Sequence, residues 1–597
     1  MRRFAHSRPA SRIIAVVLEA LACVLLFGAG SFVLARYVAA MATTSLWTDE
    51  LHTIIHYSGR GPIATLTEYA EPNNHIFFNL VNSLTPGRSS VAPLRARFWS
   101  FAAFLLTLGT GIGFFMRRRS LVLGALLFCL LAVQPELLDL MLQARGYSFL
   151  ALFSLLAVLL TLRLFSGVER RHLVGLALVS VAGAWTVPTF ALFAAPLWLL
   201  VFMALRRRDV FVAGAFTCVG TLAVYAPVAR RLAYQAQHYD ERWGRQYGSV
   251  KAVGATLKTY LLNPSVVGLS FERHGVMLVV FLGTCVLAYA LWRSFRDALP
   301  VLVTLGAVAA FFSACLALQT PLIRSTAFIV VPLVFSAIYL LWLLAREASP
   351  VRGAGALLLA GILALHTQRN MRLFQFLPLE EWQEMARVLH DTFPEHTKFF
   401  VNASPDFLAG YLFPGYTAAD RVDLPAVARG EELYLDTPVM DPPDGRIDAK
   451  KSVRDAVEYR IPQRRAGYEA LWVCPPEHAF IRAARSPRGN ERAALTDRNI
   501  GTGMDANMRA DGLELELEPG HLFRAIVLVS VPESEAVFSV HALDASGKTL
   551  VLGHIRHSRN VALVNLRDQS VAIVSLEPTD HSRGIPPIQE VWAYPVP

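Results

Sequence analysis

Apolar runs of bilayer-spanning length recur along this chain from Ile13 to Thr367. In hydrocarbon such runs can satisfy their own backbone polar groups only as helices. Each crossing needs about 20 residues at roughly 1.5 Å rise to cover a core of roughly 30 Å. Hydropathy windows place about eleven spans, at residues 13 to 36, 94 to 116, 120 to 139, 145 to 165, 172 to 187, 189 to 205, 210 to 229, 275 to 292, 299 to 318, 324 to 345 and 353 to 368, with Pro188 separating the fifth from the sixth. A chain that is 54% hydrophobic, 17% charged and of mean hydropathy +0.41 is too apolar for a string of soluble domains. The expected fold class is a polytopic α-helical membrane protein.

Arginine placement orients it, because short loops rich in positive charge stay in the cytoplasm. Arg2, Arg3, Arg8 and Arg12 lie on one side, and alternate counting puts Arg117 to Arg119, Arg170 with Arg171, Arg206 to Arg208, Arg293 with Arg296, and Arg346 with Arg352 on that same side. The N-terminus is expected in the cytoplasm, and an odd number of spans puts everything after about residue 370 outside. These loops account for much of the net charge of +10, so nucleic acid is not expected as a partner. Lysine is confined to Lys251, Lys258, Lys398, Lys450, Lys451 and Lys548, the usage of a GC-rich, bacterial genome, and residues 13 to 36 read as a retained anchor in its inner (plasma) membrane. Cys23, Cys129, Cys218, Cys285 and Cys315 lie within spans and Cys474 stands apart, so neither a disulfide framework nor metal-thiolate spacing is present.

Two outward loops, residues 37 to 93 and 230 to 274, are longer than connectivity requires, and long loops in compact proteins commonly carry function. Ile76 to Val81 is too short to span and reads as a helix lying along the interface. Tyr234, Tyr239, Trp243, Tyr247 and Tyr260 in the second loop suit an interfacial aromatic belt or a substrate lid. The expected domains are a transmembrane catalytic domain over residues 1 to 370, an α/β module over 371 to 485, and a β-sandwich over 486 to 597. The module rests on helical spacing from Glu380 to Leu389 followed by a strand at Phe399 to Val401. The sandwich rests on alternating strands at Leu513 to Leu517, Ala525 to Val531, Val537 to Leu543 and Val571 to Leu576.

Chemistry gathers at the outward ends of the helices. Asp49 and Glu50 follow the first span, His75 follows in the same loop, and Glu136, Asp139, Arg145 and Arg324 fall on the same side. Ionisable residues at membrane depth are functional candidates by default, and a carboxylate facing arginines can deprotonate a hydroxyl beside a bound phosphate. His52 and His56 follow Asp49 at offsets of three and seven, which a helix would stack on one face. With Glu136 they are the candidate metal ligands, so a divalent cation is the one cofactor entertained. The spacing HxxxH occurs here without HExxH.

The Asp-Glu pair after the first span, Asn74-His75 before an in-plane helix, Leu94-Arg95-Ala96-Arg97-Phe98 and Gln143-Ala144-Arg145-Gly146-Tyr147-Ser148 together resemble the GT-C glycosyltransferases. The pattern is nearest to glycosyltransferase family 39 and the lipid A aminoarabinose transferases, over residues 13 to about 370. This resemblance implies a sugar donor on polyprenyl phosphate and transfer to a lipid, glycan or protein hydroxyl outside the membrane. It implies Asp49 as the catalytic base, with Glu50 as an alternative base or as the residue that holds Asp49, and Arg145, Arg324 and His75 as ligands of the donor phosphate. Many relatives carry His-Pro-Pro where this chain has His75-Ile76-Phe77. Ala494 to Gly503 with Leu513 to Leu517 resembles the opening of discoidin, galactose-binding-like domains, without their usual aromatic residue. Two other readings stay open at this level, a transporter or flippase for a lipid-linked saccharide and a non-catalytic glycan-binding envelope protein.

Overall fold

The computed structural model of the chain describes residues 9 to 69, 74 to 234, 273 to 317 and 327 to 344, and beyond them short stretches that include thirteen β-strands. It divides into two compact units, Met1–Thr43 with Asp49–Phe376, and Thr44–Thr48 with Leu377–Pro597.

The helices of the first unit are α1 (Pro9–Thr43), α2 (Thr48–His52), α3 (Pro62–Thr67), α4 (Ile76–Ser83), α5 (Pro93–Arg117), α6 (Leu121–Ala132), α7 (Pro135–Met141), α8 (Tyr147–Ser166), α9 (Arg170–Thr186), α10 (Ala191–Leu205), α11 (Arg208–Tyr225), α12 (Arg273–Ala317) and α13 (Val330–Leu344). Among the described residues, six stretches are long and apolar enough to cross a membrane: Ile13–Thr43, Pro93–Arg117, Tyr147–Ser166, Pro188–Leu205, Arg208–Tyr234 and Phe295–Ala317. Leu121–Ala132 and Ala327–Leu343 are shorter apolar helices. The chain is a helical, membrane-type protein with a β-rich C-terminal region.

Two departures from the expected spans have local causes. Residues 120 to 139 form two helices, because Pro135 disfavours helical backbone at the residue before it and Gln134 is extended at φ −100°, ψ 103°. The expected spans at 275 to 292 and from 299 onward lie on one continuous helix, α12, Arg273–Ala317, which carries Pro300 in its interior. Pro188 does separate α9 from α10, with Val187 extended before it.

Between helices in lipid, close packing takes over the role that apolar burial has in water. A Cβ on Gly30 of α1 would stand 2.6 Å from the Phe128 ring of α6, and one on Gly111 of α5 would stand 2.5 Å from Leu127 of α6. Bare glycine backbone lets both helices seat directly on α6. Phe190, Phe193, Phe311 and Phe328 interlock with ring centroids 5.2 to 6.1 Å apart, joining α10 and α12 to the turn before α13. Just past α5, the Arg118 guanidinium lies 4.5 Å from the Phe114 and Trp342 ring centroids and 5.4 Å from that of Tyr339. This aromatic box ties α5 to α13.

In the second unit β1 (Phe399–Asn402), β2 (Leu433–Asp436), β3 (Val457–Gln463) and β4 (Gly467–Val473) form one sheet, ordered β1-β2-β4-β3, with β1 and β2 parallel. The helix expected over 380 to 389 lies outside the described residues. Two antiparallel sheets follow. One is ordered β10-β11-β7-β13, from β7 (Phe523–Ser530), β10 (Ile555–Ser558), β11 (Val561–Gln569) and β13 (Ile588–Pro595); the other is β5-β6-β12-β8-β9, from β5 (Ile481–Arg485), β6 (Leu513–Leu517), β8 (Phe538–Leu543), β9 (Thr549–Leu550) and β12 (Ile573–Pro578). Alternation sends Leu513, Leu515 and Leu517 inward, where they share one buried cluster with Ile526, Leu528, Val564 and Val591 of the other sheet. Glu516 faces outward and pairs with Arg482 and Arg485 of β5, at 3.0 and 3.2 Å. β5, which a boundary at residue 485 leaves with the preceding module, is thus hydrogen-bonded to β6. Ala494 to Gly503 lies outside the described residues.

If the aromatic box fastens α13, Arg118→Ala should destabilise the protein by about 1 to 2 kcal/mol while Arg118→Lys retains most of that. Thermal unfolding in detergent micelles reads the difference.

Candidate active site

The site is built where α1 ends and the chain enters α2. Asp49 and Glu50 occupy the first turn of α2, where carboxylates suit the positive end of a helix. Neighbouring positions on a helix diverge, and the two acids go separate ways. Glu50 is wholly buried. Arg97, in the second turn of α5, grips it with Nε on Oε1 at 2.8 Å and Nη2 on Oε2 at 2.6 Å. The Ala144 amide donates to Oε1 at 2.5 Å, and Arg97 also donates to the Met41 carbonyl at the end of α1. One turn along α5, the Ser100 hydroxyl donates to the Arg145 carbonyl at 3.0 Å. The start of α2, the end of α1, α5 and the turn before α8 are therefore fastened to one another through side-chain bonds.

That fastening sets the direction of Arg145, whose side chain is 3% exposed. Its Nη1 donates to Asp49 Oδ2 at 2.5 Å, and its Nη2 lies 2.8 Å from His75 Nε2. Asp49 retains 24% exposure, so it is the acid that meets the outside. The Tyr147 ring backs both basic groups, with its centroid 5.3 Å from the guanidinium and 4.9 Å, edge to face, from the His75 ring.

His75 stands at the N-cap of α4. Asn74 places it by donating to the Thr65 and Glu68 carbonyls at 3.1 and 2.8 Å while accepting from Asn79 at 2.8 Å. The Gly146 amide donates to His75 Nδ1 at 3.0 Å. A Cβ at Gly146 would stand 2.3 Å from Thr186 Cγ2 and 3.0 Å from His75 Nδ1, so a side chain there would push this contact apart. Both ring nitrogens of His75 therefore face N–H donors, and a neutral imidazole can accept at one only. The Gly146 amide is fixed on Nδ1, and the role of Nε2 toward Arg145 Nη2 follows from the tautomer. Burial first, and the Arg145 charge second, hold His75 well below the usual histidine range and keep it uncharged. The Arg145 guanidinium and the His75 ring thus lie side by side, and a buried guanidinium suits an anion oxygen.

Beyond Asp49 the helix opens into one turn of π-helix, Thr53–Tyr57. His52 and His56 stack there with centroids 4.5 Å apart and planes tilted by 32°. Burial, and then His56, push His52 down to about 4, and burial and then Arg60 lower His56. Lone pairs lie in the ring planes, so rings stacked this way do not meet at the roughly 2.0 to 2.1 Å that a shared zinc ion needs. Among the described residues no three His, Cys, Asp or Glu side chains gather as a metal group. Glu136 falls in the first turn of α7 with its side chain outside the described set, and Arg324 lies outside the described residues altogether. Asp139 is buried on α7.

Of the residues expected from sequence, Asp49, Glu50, His75 and Arg145 come together. Arg97 and Ser100 were not singled out as site residues, nor was the role of Gly146. Arg97 had a readable signal, since an arginine inside an apolar helix is costly unless an acid partners it.

No family model matches the chain, and no curated protein does. Among solved structures it is similar to ArnT from Cupriavidus metallidurans bound to undecaprenyl phosphate, at 12% identity and TM-score 0.44, over 76% of this chain and 97% of that one. The same protein in the apo state gives 12% identity and TM-score 0.46, over 75% and 97%. The arabinofuranosyltransferase AftD from Mycobacteria gives 12% and 0.37, over 98% of this chain and 60% of that one. Scores at this level leave the fold family to be argued from the chain itself.

Arg97→Met should strand a buried carboxylate and cost about 3 to 5 kcal/mol in unfolding experiments. Stability should also fall with pH. Unfolded histidine titrates near 6.5, whereas burial lowers folded His52 to about 4 and holds His75 well below the usual histidine range. The unfolded chain therefore binds more protons below about pH 6.5, and each histidine's share is lost as pH drops from there toward its folded value, at up to roughly 1.4 kcal/mol per pH unit. A thermal midpoint followed from pH 7.5 to 5 should decline, and His52→Gln should flatten that decline.

Proposed function

We propose that this chain is an integral membrane glycosyltransferase of the GT-C type, which moves a sugar from a polyprenyl-phosphate donor to an acceptor hydroxyl of a lipid, glycan or protein on the extracytoplasmic side of a bacterial inner membrane. The observation that carries this reading is the convergence of the partly exposed Asp49 carboxylate with the Arg145 guanidinium and the His75 ring. That pairing matches a reaction that removes a proton at one end and releases a phosphate at the other.

In this reading Asp49 takes the acceptor's proton while the hydroxyl oxygen attacks the anomeric carbon. The bond from that carbon to the phosphate oxygen breaks, and the phosphate departs with the electron pair. Arg145 supplies charge and His75 a fixed neutral donor to the departing oxygens, as preorganised groups do. Glu50, bonded on both oxygens and sealed from outside, holds α2 and the Arg145 turn in place and leaves base catalysis to Asp49. Arg324 is a further phosphate ligand in this proposal. A divalent cation held by His52, His56 and Glu136 would need the rings to turn toward one another. In this proposal the transmembrane part lies within residues 1 to 370 with the N-terminus in the cytoplasm, and an α/β module from 371 and a β-sandwich that takes in β5 (Ile481–Arg485) lie outside.

The test incubates membranes containing the chain with radiolabelled polyprenyl-phosphate sugars and traces the label. Wild type should transfer it, and Asp49→Ala should lose about 10² to 10⁴ in rate. Undiminished transfer by the variant contradicts the role of Asp49, and transfer by neither protein contradicts the enzyme reading.

A further inference from the structure

Resting on the reading above, we propose that the Asp49–Arg145 ion pair is a lock opened by the donor: the phosphate displaces the Asp49 carboxylate from Arg145, so the base is released only after the donor has bound. Donor binding then precedes acceptor binding.

Four features carry this. The guanidinium is nearly sealed from outside, and its two terminal nitrogens already face Asp49 and His75. A phosphate oxygen seeking both the Arg145 and His75 donors must approach the edge where the Asp49 oxygen sits. Two anions cannot share that edge without repulsion, which weak screening at a largely buried position sharpens. The side able to move is Asp49, because Arg145 is pinned by Ser100 on its own carbonyl and by the Glu50 bond to the preceding residue, Ala144. Asp49 stands on a helix of five residues and keeps a quarter of its side chain exposed.

Glu50 cannot replace Asp49 as the competing anion, since Arg97 and the Ala144 amide hold both its oxygens. While Asp49 is bonded to Arg145 its Oδ2 is engaged. Once phosphate neutralises the guanidinium, Oδ2 is no longer engaged by Arg145 and can take a proton from an acceptor. An acceptor arriving first would meet an occupied base, and water arriving without donor would meet the same, which limits unproductive chemistry.

The test measures binding of polyprenyl phosphate, and of uncharged polyprenol as control, to the full chain in lipid nanodiscs. Removing the competing charge with Asp49→Asn should tighten polyprenyl phosphate about five- to tenfold, within the usual range of site-to-site coupling, and leave polyprenol unchanged. Asp49→Ser should give the same gain if the asparagine variant folds poorly, and Asp49→Glu, which keeps the competitor, should stay near wild type. In an Arg145→Met background the gain should vanish. Wild-type binding with no gain, or a loss, in the Asp49 variants overturns the lock and leaves the transferase reading to its own assay. Indifference of every protein to the phosphate overturns both.

Discussion

The Glu50–Arg97 ion pair is the contact on which the rest of the site depends. Two opposite charges removed from water each lose several kcal/mol of hydration, and their mutual attraction offsets this only when the remaining donors and acceptors are also satisfied. Here Arg97 spends a further donor on the Met41 carbonyl, and Glu50 accepts the Ala144 amide in addition to the guanidinium. The pair therefore specifies geometry more than it adds stability. It joins segments 47 to 94 residues apart in sequence, and it fixes where the Arg145 turn meets α2.

Given that frame, adjacent acids take different parts because of exposure alone. Glu50 turns inward and is closed on both oxygens; Asp49 turns outward and stays reachable. The same frame delivers Gly146 to His75, whose Nδ1 faces the backbone amide there. A histidine held uncharged beside an arginine acts as a directional donor, with no proton of its own to lose at ordinary pH. The buried guanidinium beside it supplies the positive charge that suits an anionic acceptor.

Much of this was legible in the chain, and what was not has physical reasons. Asp49, Glu50, His75 and Arg145 stood out because ionisable groups near hydrocarbon are costly, and the short helix after His75 was evident from its length and flanks; it is α4, Ile76–Ser83. Pro188 marked a real break. Pro135 marked another that hydropathy averaging passed over, since windows of span length smooth across a single extended residue. The continuity of α12 was hidden for the converse reason: Arg293, Arg296 and Asp297 look like a loop, yet they form good helix. The partner of Glu50 was hidden because pairing across 47 residues of sequence leaves no periodic trace. The strands from Leu513 onward were readable from strict alternation, whereas the start of their sheet at β5 was not, because Ile481–Arg485 alternates only weakly.

The central claim is that acids from the front of the chain and basic groups from later turns form one anion-binding catalytic pocket. An electron cryomicroscopy structure of the full chain with polyprenyl phosphate tests it most directly. The account expects phosphate oxygens within hydrogen-bond range of His75 Nε2 and Arg145, with Asp49 turned off the guanidinium and Glu50 still bound by Arg97. Phosphate density elsewhere, beside an unbroken Asp49–Arg145 pair, would contradict it.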